Sequence, residues 1–296
     1  MKYWVAQETR LGTRRMNQDR IGCWSTPATL LMAVADGLGG HIHGEIAAEL
    51  AVALFGAAFE REAQPRIADP VGFLGRAISA GHAAILRDAQ RRDLPDTPRT
   101  VLVACVVQDG YAYWTHVGDS RLYLFRQGRI LHRTRDHTVV QELFDAGRIR
   151  EEAMTSHPER NRLLQCLGGY QAPQPDTVTT ERLAKNDIVL LCSDGFWGPL
   201  TQRQMLHALM SRDLSIAIPD LVMLAEHRAG LGCDNVSVLA MTWGEDQVGA
   251  PAAPEPERTE VKDFTATDLD YMRVSDEDIE KAIADLKEAL RKSSSS

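Results

Sequence analysis

The stretch TVLVACVVQDGYAYWTHVGDSRLYLFRQGRILHR, residues 100–133, decides how this chain folds. It holds four apolar runs, at 100–107, 111–117, 122–125 and 129–133. Runs this short, rich in β-branched and aromatic residues, read as strands. Two of the intervening corners, Gln108-Asp109-Gly110 and Arg126-Gln127-Gly128, have hairpin chemistry. Successive short hairpins predict an antiparallel meander rather than the parallel sheet of a doubly wound nucleotide-binding fold.

Outward from this stretch, helix-like segments at 45–60, 71–92, 202–210 and 218–229 separate further strand-like runs. In the first segment Ile46, Leu50, Leu54 and Ala58 fall on one helical face. Two sheets covered by helices satisfy this pattern.

Four aspartates stand at the ends of the apolar runs. Residues 30–35 lead into Asp36-Gly37, and 188–193 lead into Asp194-Gly195. Asp119 lies between two runs of the opening stretch, and Asp234-Asn235 precedes the run 236–241. Asp-Gly is also an ordinary turn signal, so any one of these taken singly reads more readily as a hairpin corner. Four carboxylates at strand ends, however, are suited to converge on hard divalent cations, which take oxygen ligands. The pattern points to metal-assisted hydrolysis.

Composition narrows the alternatives. The chain has 296 residues and 44% hydrophobic content, enough for one sizeable core and an appendage. Its N-terminus lacks the apolar core of a signal peptide, and no run approaches the length of a membrane span. Cys23, Cys105, Cys166, Cys192 and Cys233 form no CxxC pair and lie mostly in apolar runs. They read as buried thiols, and the expected location is cytoplasmic. Of 41 acidic and 33 basic residues, 14 and 7 fall in 245–296, which leaves 27 and 26 for 1–244. A nearly neutral body carries no nucleic-acid footprint.

The expected domain boundary is therefore at 244. Residues 245–274 form a Pro- and acid-rich linker, and 275–292 form a helix that Ser275 caps. Ile279, Ile283, Leu286 and Leu290 make one narrow apolar stripe on that helix. A helix this short is marginal alone, so it is expected to dock on its own domain, a second copy or a partner. The other reading is a frayed acidic tail that aids solubility.

Across 5–243 the chain resembles the metal-dependent protein serine/threonine phosphatases of the protein phosphatase 2C family, bacterial branch. Arg14-Arg15-Met16-Asn17-Gln18-Asp19 is similar to the family's opening motif, and Asp36-Gly37-Leu38-Gly39-Gly40-His41 with Gly44-Glu45 to its glycine loop. Gly118-Asp119-Ser120-Arg121, Asp136-His137-Thr138, His157-Pro158 with Asn161, Ser193-Asp194-Gly195 and Asp234-Asn235-Val236-Ser237 follow in the family's order.

The resemblance implies an α+β fold, a four-layer α-β-β-α sandwich with two central, mainly antiparallel sheets. It implies two tight Mg²⁺ or Mn²⁺ sites and a weaker third. Asp36 would bridge the metals, the Gly37 carbonyl would bind one of them, and Asp194 and Asp234 would hold the second. Asp19 would act through metal-bound waters, and Asp119 matches the third-metal position. Arg14 matches the phosphate-binding arginine, since a guanidinium fork suits two phosphoryl oxygens. His41 matches a bacterial histidine able to protonate the leaving seryl oxygen, with loop positioning or acid catalysis by metal-bound water as the other readings. Residues 140–169 resemble the mobile flap, with substrate selection as its role.

Two positions depart from the pattern. Gln18 replaces a glutamate, and Leu38 stands where eukaryotic members carry a histidine. The implied activity is hydrolysis of phosphoserine and phosphothreonine on proteins by a metal-bridging water, opposing a serine/threonine kinase. The alternative is a pseudophosphatase that binds phosphoproteins without hydrolysis.

Overall fold

The computed structural model describes residues 1–39, 43–154, 156–174 and 177–244. The linker and helix expected over 245–292 lie outside the described residues, as does His41. In chain order the strands are β1 (Tyr3–Arg10), β2 (Asp19–Ser25), β3 (Thr29–Gly37), β4 (Thr100–Gln108), β5 (Tyr111–Val117), β6 (Arg121–Arg126), β7 (Arg129–Arg133), β8 (Thr179–Arg182), β9 (Ile188–Cys192) and β10 (Val236–Trp243). The helices are α1 (Gly44–Glu62), α2 (Pro70–Arg91), α3 (Val139–Asp145), α4 (Glu151–Met154), α5 (Asp194–Trp197), α6 (Gln202–Ser211) and α7 (Leu214–Ala229).

The strands form two five-stranded sheets, ordered β1-β10-β9-β6-β7 and β2-β3-β4-β5-β8. Every neighbouring pair is antiparallel. Leu30, Met32, Val34 and Val103 from one sheet pack against Leu122, Leu124, Leu191 and Leu239 from the other. The opposite face of the first sheet, including Tyr123, Phe125, Leu190 and Val238, is covered by α6 and α7 through Met205, Ile218, Leu221 and Val222. Helices α1 and α2 cover the second sheet. This is the four-layer sandwich, and it explains the unbroken apolar runs: strands buried on both faces need no polar alternation.

Both anticipated hairpins form. Asp109 and Gly110 take φ of 54° and 79°, and Gln127 and Gly128 take 49° and 74°, the paired positive angles of a type I′ turn. The single meander does not form. β5 pairs with β4 and β8, whereas β6 pairs with β7 and β9, so the chain changes sheets at 118–120. Gly118 makes the corner possible. Its φ is +103°, and a Cβ there would lie 2.1 Å from Val101 Cγ1, so the turn folds directly onto β4. Asp119 thereby sits where the two sheets meet.

Helix α7 also begins earlier than its expected start at 218. Pro219 lies inside it, and Leu214, Ala217, Ile218 and Leu221 bury one continuous face. That burial outweighs the one backbone hydrogen bond that proline removes.

Candidate metal centre

Antiparallel pairing delivers the aspartates to one end of the sandwich. Asp19 opens β2 and is the direct cross-strand partner of Asp36 near the end of β3. From the other sheet, Asp194 follows β9 and Asp234 precedes β10, and the end of β9 pairs with the start of β10 through Cys192 and Val238. Asp119 completes the group from the corner before β6.

A polar frame fixes these positions. Ser193 Oγ donates to Asp19 Oδ2 at 2.8 Å, a bond from one sheet to the other across 174 residues of sequence. Ser193 Oγ in turn accepts from the Ser237 amide at 3.0 Å. Asn17 Oδ1 accepts from the Asp19 amide at 3.0 Å. Asn235 Oδ1 accepts from the Gln18 amide at 2.8 Å, while its Nδ2 donates to the Leu11 and Met16 carbonyls. Asn235 therefore holds both ends of the loop that carries Arg14. Gly37 belongs to the frame because a Cβ there would meet the Gly44 backbone at 2.4 Å, so the strand end and the start of α1 touch main chain to main chain.

The electrostatics are those of an anionic cluster short of positive charge. Burial, and then the charges of Asp194 and Asp234, push Asp19 up to about 7 despite its serine hydrogen bonds. Burial and Asp234 raise Asp194 to about 6. Asp36 and Asp119 are held well above the ordinary carboxylate range by burial, with Asp19 and Asp194 respectively the strongest charged neighbours. Arg14 reaches the cluster from an exposed loop, donating from Nη2 to Asp234 Oδ2 at 2.6 Å.

These donors fit divalent cations. Asp19 Oδ1 is buried and has no hydrogen-bond partner among the described residues. The cluster is all oxygen, which suits Mg²⁺ or Mn²⁺ over softer metals. Among the described residues no three His, Cys, Asp or Glu side chains close into one ligand shell.

The other sequence-marked residues separate by position. Gln18 Nε2 donates to Glu45 Oε2 at 3.3 Å, a contact two ionised glutamates would not make. The segment expected as a flap carries α3 and α4, and pairing of Thr138 with Leu163 closes its base. One leg reaches Gly118 through His137, by the Gly118 amide to Nδ1 at 3.1 Å and the His137 amide to the Gly118 carbonyl at 2.9 Å. The other leg pairs Leu167 with Thr100, whose hydroxyl donates to the Asp36 carbonyl at 2.7 Å.

Sequence reasoning assigned no role to Arg121, Asp136 or Trp197. Arg121 and Asp136 form a buried two-pronged ion pair, with both bonds at 2.7 Å, beneath the Asp119 corner. The shared motif order marked these positions, but only the fold shows that they face one another.

A family model described as protein phosphatase 2C matches residues 7–217. The serine/threonine protein phosphatase PstP of Mycobacterium tuberculosis is 34% identical over 80% of this chain, and the match covers 44% of that protein, so the chain spans less than half its length. Among solved structures, the S. agalactiae serine/threonine phosphatase superposes with a TM-score of 0.73 at 31% identity, over 81% of this chain and 99% of that one. The PstP catalytic domain in complex with two manganese ions gives 0.69 at 30% identity, over 81% and 97%.

Proposed function

This chain belongs to the protein phosphatase 2C family, and we propose that it is a metal-dependent phosphatase acting on phosphoserine and phosphothreonine in proteins, opposing a serine/threonine kinase. The observation that carries this reading is the cluster of Asp19, Asp36, Asp119, Asp194 and Asp234, drawn from both sheets into one field with Arg14 at its edge. Two Mg²⁺ or Mn²⁺ ions held by Asp36, the Gly37 carbonyl, Asp194 and Asp234, with Asp19 acting through waters, would supply an acidified water as nucleophile and neutralise phosphoryl charge.

The chain's own residues supply binding and orientation. Arg14 is half-exposed and anchored on Asp234 through Nη2, which leaves its other N–H donors for a phosphoryl group. A phosphoryl group entering there meets a guanidinium already oriented by a carboxylate. Asn235 and Asn17 hold that loop and β2 in register, so little ordering is left for the moment of binding. The bonds that tie the two ends of the 137–167 segment beside Asp119 and Asp36 support reading it as a flap that contacts the protein around the phosphorylated residue.

Phosphate release from a phosphoseryl peptide tests the proposal. Release with Mn²⁺, and none in excess EDTA, is the expected result. Peptide binding without release in either condition would replace hydrolysis by the phosphoprotein-binding alternative, the reading that Gln18 favours. Arg14→Lys keeps the charge and loses the planar fork. It is expected to lower kcat/KM about 10- to 100-fold, mainly through KM. An unchanged KM in steady-state assays would remove Arg14 from phosphate recognition.

A further inference from the structure

Helix α5 is a single turn that starts at Asp194 and ends at Trp197, immediately after β9. Its rotation is fixed by Phe196, which is fully buried in the core beneath α6 and α7. Three residues beyond Asp194, the Trp197 indole Nε1 donates to the main-chain carbonyl of Asp119 at 3.0 Å. The ring is itself clamped. The Arg121 guanidinium lies 3.4 Å over its centroid, and Arg121 is gripped by both oxygens of Asp136 and by the Tyr123 hydroxyl at 3.0 Å. On the other side of the same corner, His137 both donates to the Gly118 carbonyl and accepts from the Gly118 amide. The short turn at 118–119 is therefore bonded from two directions, by a clamped indole and by His137.

Asp119 lies on a corner with a glycine beside it, so rotation of that corner is the motion open to its carboxylate. The indole bond opposes this rotation, and its donor sits on the same single helical turn as Asp194. We infer that Trp197 is a positioning residue that holds Asp119 against Asp194, making the two carboxylates one preorganised site for a further divalent cation. The inference rests on the metal-dependent reading above, and it assigns Trp197 no contact with substrate.

The variant that tests it removes the donor and keeps the ring. Calorimetric titration of Mn²⁺ into metal-stripped full-length Trp197→Phe is expected to show tight sites like those of wild type. The weak phase should shift to about 5- to 10-fold higher Mn²⁺, the scale of one lost hydrogen bond. The Mn²⁺ concentration for half-maximal hydrolysis of p-nitrophenyl phosphate should rise by the same factor, with KM unchanged. Combining Trp197→Phe with Asp119→Ala should weaken metal binding no further than Asp119→Ala alone, because both act on one site. If Trp197→Phe folds poorly, 3-benzothienylalanine at position 197 preserves the shape of the ring system without its N–H and reads the same quantity. A weak phase unchanged from wild type would overturn the inference, and so would loss of the tight sites, which would make Trp197 a support of the whole centre. Because the weak phase is measured as heat, a wild-type protein that binds Mn²⁺ but hydrolyses nothing would defeat the proposed activity and leave this inference standing or falling separately.

Discussion

Asp36→Asn is expected to lower kcat at least about 10³-fold while raising the thermal stability of the metal-free protein. The two effects have one origin. Asp36 lies opposite Asp19 across β2 and β3, and the charges of Asp19, Asp194, Asp119 and Asp234 all bear on it. Without cations that arrangement is repulsive, and an amide of the same shape relieves it. With cations, the same charge is what would hold them and the developing phosphoryl charge in place. Sites strained for function characteristically trade stability for activity in this way. Kinetics with p-nitrophenyl phosphate and a thermal melt in EDTA measure the two halves. An inactive variant that also melts lower would mean that Asp36 serves the fold more than the chemistry.

The largest expected loss of stability comes from Asp136→Ala. Asp136 and Arg121 are 6% and 8% exposed, and each of the two bonds between them is 2.7 Å. Removing the carboxylate leaves a buried guanidinium with its main partner gone, at a cost of about 3–5 kcal/mol. Replacing both residues, as Arg121→Met with Asp136→Leu, should cost much less, because no buried charge is then stranded. Denaturant unfolding of the single and double variants separates the cases. Equal losses in both would show that the pair acts through packing and not through charge.

Much of this fold is legible in the chain because its signals are local. Asp109-Gly110 and Gln127-Gly128 announce their turns by residue type, and the Asp-Gly steps at 36 and 194 stand at strand ends. The change of sheet at 118–120 carries no such signal, since a glycine-bearing corner suits a hairpin and a crossover equally. The run that follows it, β6, is too fully buried for alternation to reveal which face it shares. The centre divides in the same way. Its carboxylates were visible as residues at strand ends, whereas the bond from Ser193 to Asp19 joins positions 174 apart and has no periodicity to betray it. The indole of Trp197 reads as one more core aromatic until the corner of Asp119 is seen beside it.

The proposed cation-holding centre draws five aspartates from two sheets, with Asp36 the cross-strand partner of Asp19. Titration of Mn²⁺ into metal-stripped protein, followed by calorimetry, tests it most directly when wild type and Asp36→Asn are compared. The expected result is two tightly bound ions in wild type and the loss of both tight sites in the variant. Two ions bound by Asp36→Asn as tightly as by wild type would contradict the account.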